Sequence, residues 1–157
     1  MPLVATKYFG NMDYAEESVF EFPFGLPAFE KEKRFVFIEV PDHAPLVFLQ
    51  SIATPHLCFL ALPIQVVDQS YELAVLREDL EALELNPQRQ PKAGDHTLTL
   101  ALVSLHDGFS ATANLMAPIV INLATRRALQ AIRADSKYSH QYPVVALNSA
   151  STCEGAC

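Results

Sequence analysis

Short stretches of alternating or β-branched apolar residues, each cut off by proline or a polar turn, run through this chain and leave little room for long helices. Proline fixes its own φ and lacks an N–H, so it is excluded from helix interiors and central strands. Eleven prolines divide the 157 residues. Between them the dominant period is two, the period of a strand. Residues 19–22 (VFEF) start an extended segment that Pro23 ends. Residues 34–40 (RFVFIEV), 46–52 (LVFLQSI) and 57–62 (LCFLAL) read as successive strands, separated by the PDHAP loop and the Thr54-Pro55 turn. Pro63 then interrupts the pattern. Residues 71–76 (YELAVL) read as a short strand, and 77–85 (REDLEALEL) as a short surface helix with leucines among acids. A polar loop over 86–95 leads to the clearest strand, 97–105 (TLTLALVSL), which His106-Asp107-Gly108 turns back. The run 111–123 (ATANLMAPIVINL) is apolar and β-branched around Pro118, which places that proline at an edge or a bulge. Over 124–135 (ATRRALQAIRAD) local propensity favours a helix. About seven short strands with one or two short helices predict a mainly β chain, a sheet folded over on itself or closed into a barrel.

The length is that of one domain, expected over 1–147, and the small polar residues of 148–157 are expected to form a disordered tail. Half the residues are hydrophobic and only 18% are charged, below the roughly 25% usual for soluble domains. Either some apolar side chains stay uncovered as a partner-binding patch, or they are scattered singly over a compact core. The net charge of −7 and the absence of any long basic run argue against direct nucleic-acid binding. The basic spots Lys31/Lys33/Arg34 and Arg126/Arg127 are short. The N-terminal residues lack a signal-like apolar stretch and no run is long enough for a membrane span. Three cysteines, Cys58, Cys153 and Cys157, make no disulfide framework, so a reducing cytoplasm is the expected setting.

Chemistry-bearing patterns are sparse. Five scattered glycines form no phosphate-cradling loop, and no G-x-S-x-G elbow occurs. Cys58 lies two residues from His56 but among Leu57, Phe59, Leu60 and Leu62, which reads as an inert core thiol and not a nucleophile. Cys153 and Cys157 are two potential ligands where structural zinc takes four. No enzyme activity, cofactor or metal is expected. Two other readings stay open: a cysteine-dependent enzyme using Cys58, and a β-barrel that binds a small apolar ligand.

Three segments carry a resemblance. Residues 22–29 (FPFGLPAF) are similar to the F-P-x-G-L-P-G-F stretch of the flagellar assembly factor FliW family. Residues 49–63 (LQSIATPHLCFLALP) resemble that family's link from a Q-S strand to an apolar strand ending at proline, and 112–122 (TANLMAPIVIN), with Gln130 and Tyr138 beyond, resembles its most specific signature. Ala28 and Ala128 stand where that family commonly has glycine.

The resemblance implies a mixed sheet folded into a pseudobarrel, with the stretch after Asn122 continuing as a strand against its helix propensity. It further implies a protein that binds flagellin and antagonises the RNA-binding translational repressor carbon storage regulator (CsrA), so that flagellin synthesis follows export. Candidate partner-binding residues are Phe22, Gly25, Pro27, Phe29, Asn114, Pro118, Asn122 and Tyr138. The first four either shape a surface loop or form a turn that seals the core. Asn114 and Asn122 either cap backbone groups or touch the partner, and Tyr138 suits an interface or a barrel rim. Leu115, Ile119 and Val120 read as core.

Overall fold

A computed structural model describes residues 2–92, 96–106 and 110–144. The expected tail at 148–157, Cys153 and Cys157, and the tip of the turn at Asp107-Gly108 lie outside the described residues.

Eleven strands are present among the described residues: β1 (Leu3–Thr6), β2 (Gly10–Asp13), β3 (Val19–Glu21), β4 (Arg34–Ile38), β5 (Val47–Ser51), β6 (Cys58–Pro63), β7 (Thr97–His106), β8 (Ser110–Ala113), β9 (Ile119–Asn122), β10 (Arg127–Gln130) and β11 (Tyr142–Pro143). Two short helices, α1 (Ile64–Val67) and α2 (Arg77–Ala82), lie between β6 and β7. Seven strands close a ring in the order β7-β6-β5-β4-β3-β10-β9, with β9 pairing back onto β7. All pairings in the ring are antiparallel except β3 with β10, a parallel seam whose register is the single pair Glu21 with Arg127. The mixed, closed barrel of seven strands agrees with the expected pseudobarrel. β8 and β11 extend the sheet outward from β7, and β1 and β2 form a separate hairpin.

Alternation along the ring strands sends one set of side chains inward. Phe20, Phe35, Leu49, Ala61, Leu100, Ile119, Ile121 and Ala128 fill the barrel with Phe22 and Leu26. The outward set is apolar as well. Val36 and Ile38 of β4 lie under the β1–β2 hairpin with Val4, Phe9 and Met12, and the rings of Phe9 and Phe48 meet edge to face at 5.2 Å. Leu62, Ala101 and Val103 pack with Ile64 of α1, Tyr71 and Val144. Val120 and Leu129 pack with Leu80 and Leu83 around α2. Strands covered on both faces need apolar residues at nearly every position, as β9 shows with Ile119–Asn122 all buried. This double coverage accounts for the high apolar and low charged content. Ala128 is fully buried inside the barrel, where its methyl fits in place of glycine.

Residues 71–76, expected as a strand, are not one. No neighbouring backbone ladder is present there, because the side-chain amide of Gln90 occupies the place of a partner: Val75 N–H donates to Gln90 Oε1 at 2.7 Å and Gln90 Nε2 donates to the Val75 carbonyl at 3.0 Å. Pro118 is neither at an edge nor in a bulge. The run 111–123 splits into β8 and β9, and Pro118 is a buried residue of the connection, directly before β9. Helix α2 ends sooner than the leucine pattern suggests. Glu84, at φ 59°, turns the chain left-handed, and Leu85 N–H reaches back to the Leu80 carbonyl at 2.9 Å. Over 124–135 the strand prevails over the helix: Arg126, at φ 60°, makes the turn, and β10 pairs with β9 from Arg127 to Gln130. Four ladder positions and a buried Ala128 and Leu129 outweigh the few tenths of a kcal/mol per residue of helix propensity.

Candidate functional site

The eight candidate residues fall into three local structures. The first is the turn between β3 and β4. Phe22 is fully buried against Phe35, their rings 5.1 Å apart. Gly25 N–H donates to the Phe22 carbonyl at 2.8 Å, and Gly25 itself lies at φ 63°. A Cβ there would sit 2.6 Å from the backbone of Glu30, so both dihedral and space require glycine. Leu26 and Phe29 then bond to each other across Pro27-Ala28, with Phe29 N–H to the Leu26 carbonyl at 2.7 Å. Proline at the second position and a positive φ of 72° at Ala28 are the marks of a type II turn. Ala28 thus holds a left-handed backbone that a glycine would adopt without strain. Pro27 is exposed, and Phe29 is 39% exposed with its ring 5.5 Å from Phe59. The turn therefore does both jobs: Phe22 and Leu26 plug the barrel, while Phe29 and the 57% exposed Phe24 show aromatic surface.

The second structure gathers Asn114, Pro118 and Tyr138 around the β8–β9 connection. Asn114 Oδ1 accepts the N–H groups of Met116 and Ala117 at 3.0 and 3.1 Å, so its side chain serves its own backbone. The following stretch pairs with the connection: Ala131 N–H donates to the Pro118 carbonyl and Arg133 N–H to that of Met116. Arg133 is the hub. Its buried guanidinium makes a fork to Asp135 at 2.8 and 2.9 Å, donates to the Glu72 carbonyl at 2.6 Å and to the Tyr71 hydroxyl at 3.2 Å, and lies 4.8 Å from the Tyr138 ring centre. The Tyr138 ring lies 4.4 Å from that of Tyr71, and its hydroxyl accepts the Glu72 N–H at 3.1 Å. Hydrogen bonding to Arg133 holds the Asp135 carboxyl below its usual range, and hydrogen bonding to Lys137 does the same for Glu72. Arg133, Tyr71 and Tyr138 thus fix the 131–138 stretch against the segment around Glu72.

The third structure is Asn122 at the end of β9, 4% exposed. Its Nδ2 donates to the Leu83 carbonyl at 2.8 Å and its Oδ1 accepts the Ala124 N–H at 3.0 Å. It ties the end of α2 to the barrel. Sequence reasoning passed over Phe24, Arg133 and Tyr71. The aromatic lay inside a quoted motif, but the arginine sat in a stretch dominated by helix propensity, and nothing local announces its distant partners.

These arrangements hold a scaffold and make no reactive constellation. Burial pushes the Cys58 thiol up to about 11, away from the thiolate a nucleophile needs. His56 is exposed in the turn before β6. Among the described residues no group of three His, Cys, Asp or Glu side chains could hold a metal ion. No described helix is long and apolar enough to cross a membrane.

Comparison with known proteins gives one consistent result. The model of the FliW protein family matches residues 3–144. A flagellar assembly factor FliW from Syntrophomonas wolfei is 33% identical over 144 residues, which cover 92% of this chain and 88% of the relative. One from Bacillus subtilis is 29% identical over 143 residues, covering 90% and 96%. A crystal structure of the flagellar assembly factor FliW superposes with a TM-score of 0.78 at 29% identity, over 91% of this chain and 96% of that one.

Proposed function

Because this chain belongs to the FliW family, we propose that it is a cytoplasmic flagellar assembly factor that works by binding proteins. In this reading it binds flagellin before export and, once flagellin has left, binds the translational repressor carbon storage regulator (CsrA) and lifts its repression. The observation that carries the reading is the family match over residues 3–144, which takes in every strand of the barrel and the layers that cover it.

The physical character of the molecule supports a binding role. The barrel interior is filled by side chains such as Phe22, Phe35, Leu49 and Ile121, each fully buried, and the polar groups of the candidate residues are spent on the scaffold. What faces outward includes the aromatics Phe24 and Phe29, on a turn where Pro27 fixes its own φ. Rigid aromatics of this kind supply contact area at low entropic cost. Flagellin termini are apolar and helical in the filament, so an apolar surface is what a carrier must offer them. The net charge of −7 suits the second partner, because an acidic protein docked beside a surface that holds RNA raises the cost of holding it.

Co-purification with flagellin and with the repressor, separately and in competition, tests the reading. Binding to both, with each displacing the other, is expected. Binding to neither would refute it. RNA affinity of the repressor should fall when this protein is added, most at low salt, and an RNA affinity unchanged at every salt concentration would refute the electrostatic part.

A further inference from the structure

The β1–β2 hairpin is a sheet of its own, in which β2 pairs with β1 alone. Tyr14 N–H donates to the Pro2 carbonyl at 3.0 Å. Bonded and unbonded pairs alternate along an antiparallel ladder, so Val4 with Met12 and Thr6 with Gly10 are the bonded pairs that follow. The N–H and C=O groups of Asn11 and Asp13 between them therefore point away from β1. Among the described residues no backbone group bonds to them. A bare flank of this kind is a template for another strand.

A groove of about 220 Å³ runs beside that flank. It takes Met12, Asp13 and Tyr14 from the β2 side and only Val4 from β1, so it opens on the bare edge. Its floor is the outer face of β4, where Val36 and Ile38 are 2% and 8% exposed. Asp13 and Glu39 line it as well, and both are exposed. Among the described residues no lysine, arginine or histidine lines the groove, and neither carboxylate has a hydrogen-bond or ion-pair partner. Elsewhere on the surface such charges are answered, as Glu72 is by Lys137 and Asp135 by Arg133.

We propose that the hairpin accepts a third strand from another protein, an extended segment whose lysine or arginine enters this groove. The bare flank of β2 suits a polypeptide backbone, which offers N–H and C=O groups at the strand repeat. The groove suits a long cationic side chain. Its hydrocarbon stem lies along Met12, Val36 and Ile38, and its charged head meets Asp13 and Glu39 with the Tyr14 ring beside it. Two carboxylates repel phosphate, so nucleic acid and lipid headgroups do not fit there. The inference rests on the hairpin and its groove, and on neither of the partners named above.

The test uses the full chain, isotope-labelled for NMR, and a short capped peptide in which valine, lysine and valine alternate with threonine. The strand repeat puts the lysine and both valines on one face. On titration the amides of Asn11 and Asp13 should shift and gain protection from exchange, because they donate to the added strand. The same peptide with glutamate in place of lysine should not bind. Asp13→Asn combined with Glu39→Gln, both on exposed side chains, should weaken the lysine peptide about fivefold at low salt, and the gap should close by roughly 0.5 M salt. The glutamate peptide is compared on the unaltered chain, so it decides the matter even if the double variant fails to fold. Equal binding of the two peptides, or equal affinity in a folded double variant, overturns the proposal. Asn11 and Asp13 amides that stay unmoved at ~5 mM lysine peptide overturn it too. None of these results touches the flagellar reading, which co-purification tests separately.

Discussion

Two substitutions three residues apart in the β3–β4 turn should move stability in opposite directions. Gly25 and Ala28 both have a left-handed backbone, at φ 63° and 72°. At Gly25 an added Cβ meets Glu30 backbone at 2.6 Å, and that neighbour is held by the same turn. Gly25→Ala therefore combines the left-handed penalty with an overlap, and should cost about 2–4 kcal/mol. At Ala28 the residue is exposed and its Cβ gains nothing from burial. Ala28→Gly removes a penalty of about 1–2 kcal/mol and gives back about 0.4–1 kcal/mol in unfolded-state entropy. The net gain is about 0.5–1 kcal/mol, and the bond from Ala28 N–H to Glu30 Oε2 survives, since it uses the backbone. For a domain of this size each kcal/mol moves Tm by roughly 2–4 °C. Differential scanning calorimetry should show Gly25→Ala lower by about 4–16 °C and Ala28→Gly higher by about 1–4 °C. A lower Tm for Ala28→Gly, or an unchanged Tm for Gly25→Ala, would refute the backbone argument.

Asn122→Ala strips the Leu83 carbonyl and the Ala124 N–H of their partner in a site 4% exposed, and should cost about 2–3 kcal/mol in urea denaturation with an unchanged m value. The carboxyls of Asp135 and Glu72 are held below their usual range by Arg133 and Lys137, so between the folded and unfolded values the unfolded chain binds more protons. Their contribution is complete above the unfolded carboxyl range of about 4 and is lost as pH falls through the lowered folded values. Chemical denaturation at a series of acidic pH values should show this slope, and Lys137→Met should make it shallower by the Glu72 share. In a Cys153→Ser/Cys157→Ser background, Cys58 with its thiol pushed up to about 11 should react with a disulfide reagent at neutral pH only slowly, and rapidly once denaturant is added. Fast labelling of the folded chain would reopen the cysteine-enzyme reading.

The strands that were legible in the sequence are those whose ladders follow local pattern. β4, β5, β6 and β7 each begin and end within about two residues of the expected runs, because prolines and polar turns bound them. The expected strand at 71–76 failed for a reason no local pattern reveals: the amide of Gln90, fifteen residues on, takes the bonds of Val75. The strand at Arg127–Gln130 is invisible to propensity and follows only from the family resemblance, since its fate is decided by contacts with Ile119–Asn122 and Glu21. The candidate residues were legible as special positions but not as to role. A glycine or asparagine that must adopt one backbone shape, such as Gly25 or Asn114, carries the same signature whether it serves the fold or a partner. The contacts of Arg133 depend on the closing of the barrel, and no window of sequence contains them.

That closing rests on the narrowest joint in the ring. Residues 21 and 127 meet at a single parallel register position, and every other junction joins at least three pairs. Synthesis from the N-terminus makes β3 early and β10 among the last strands. A nascent chain halted anywhere before Arg127 has β3 with one bare flank and the barrel's apolar lining without its final stave. Completion of the cylinder therefore waits for β10 to leave the ribosome, and termination before it yields a sticky sheet in place of a weakened barrel.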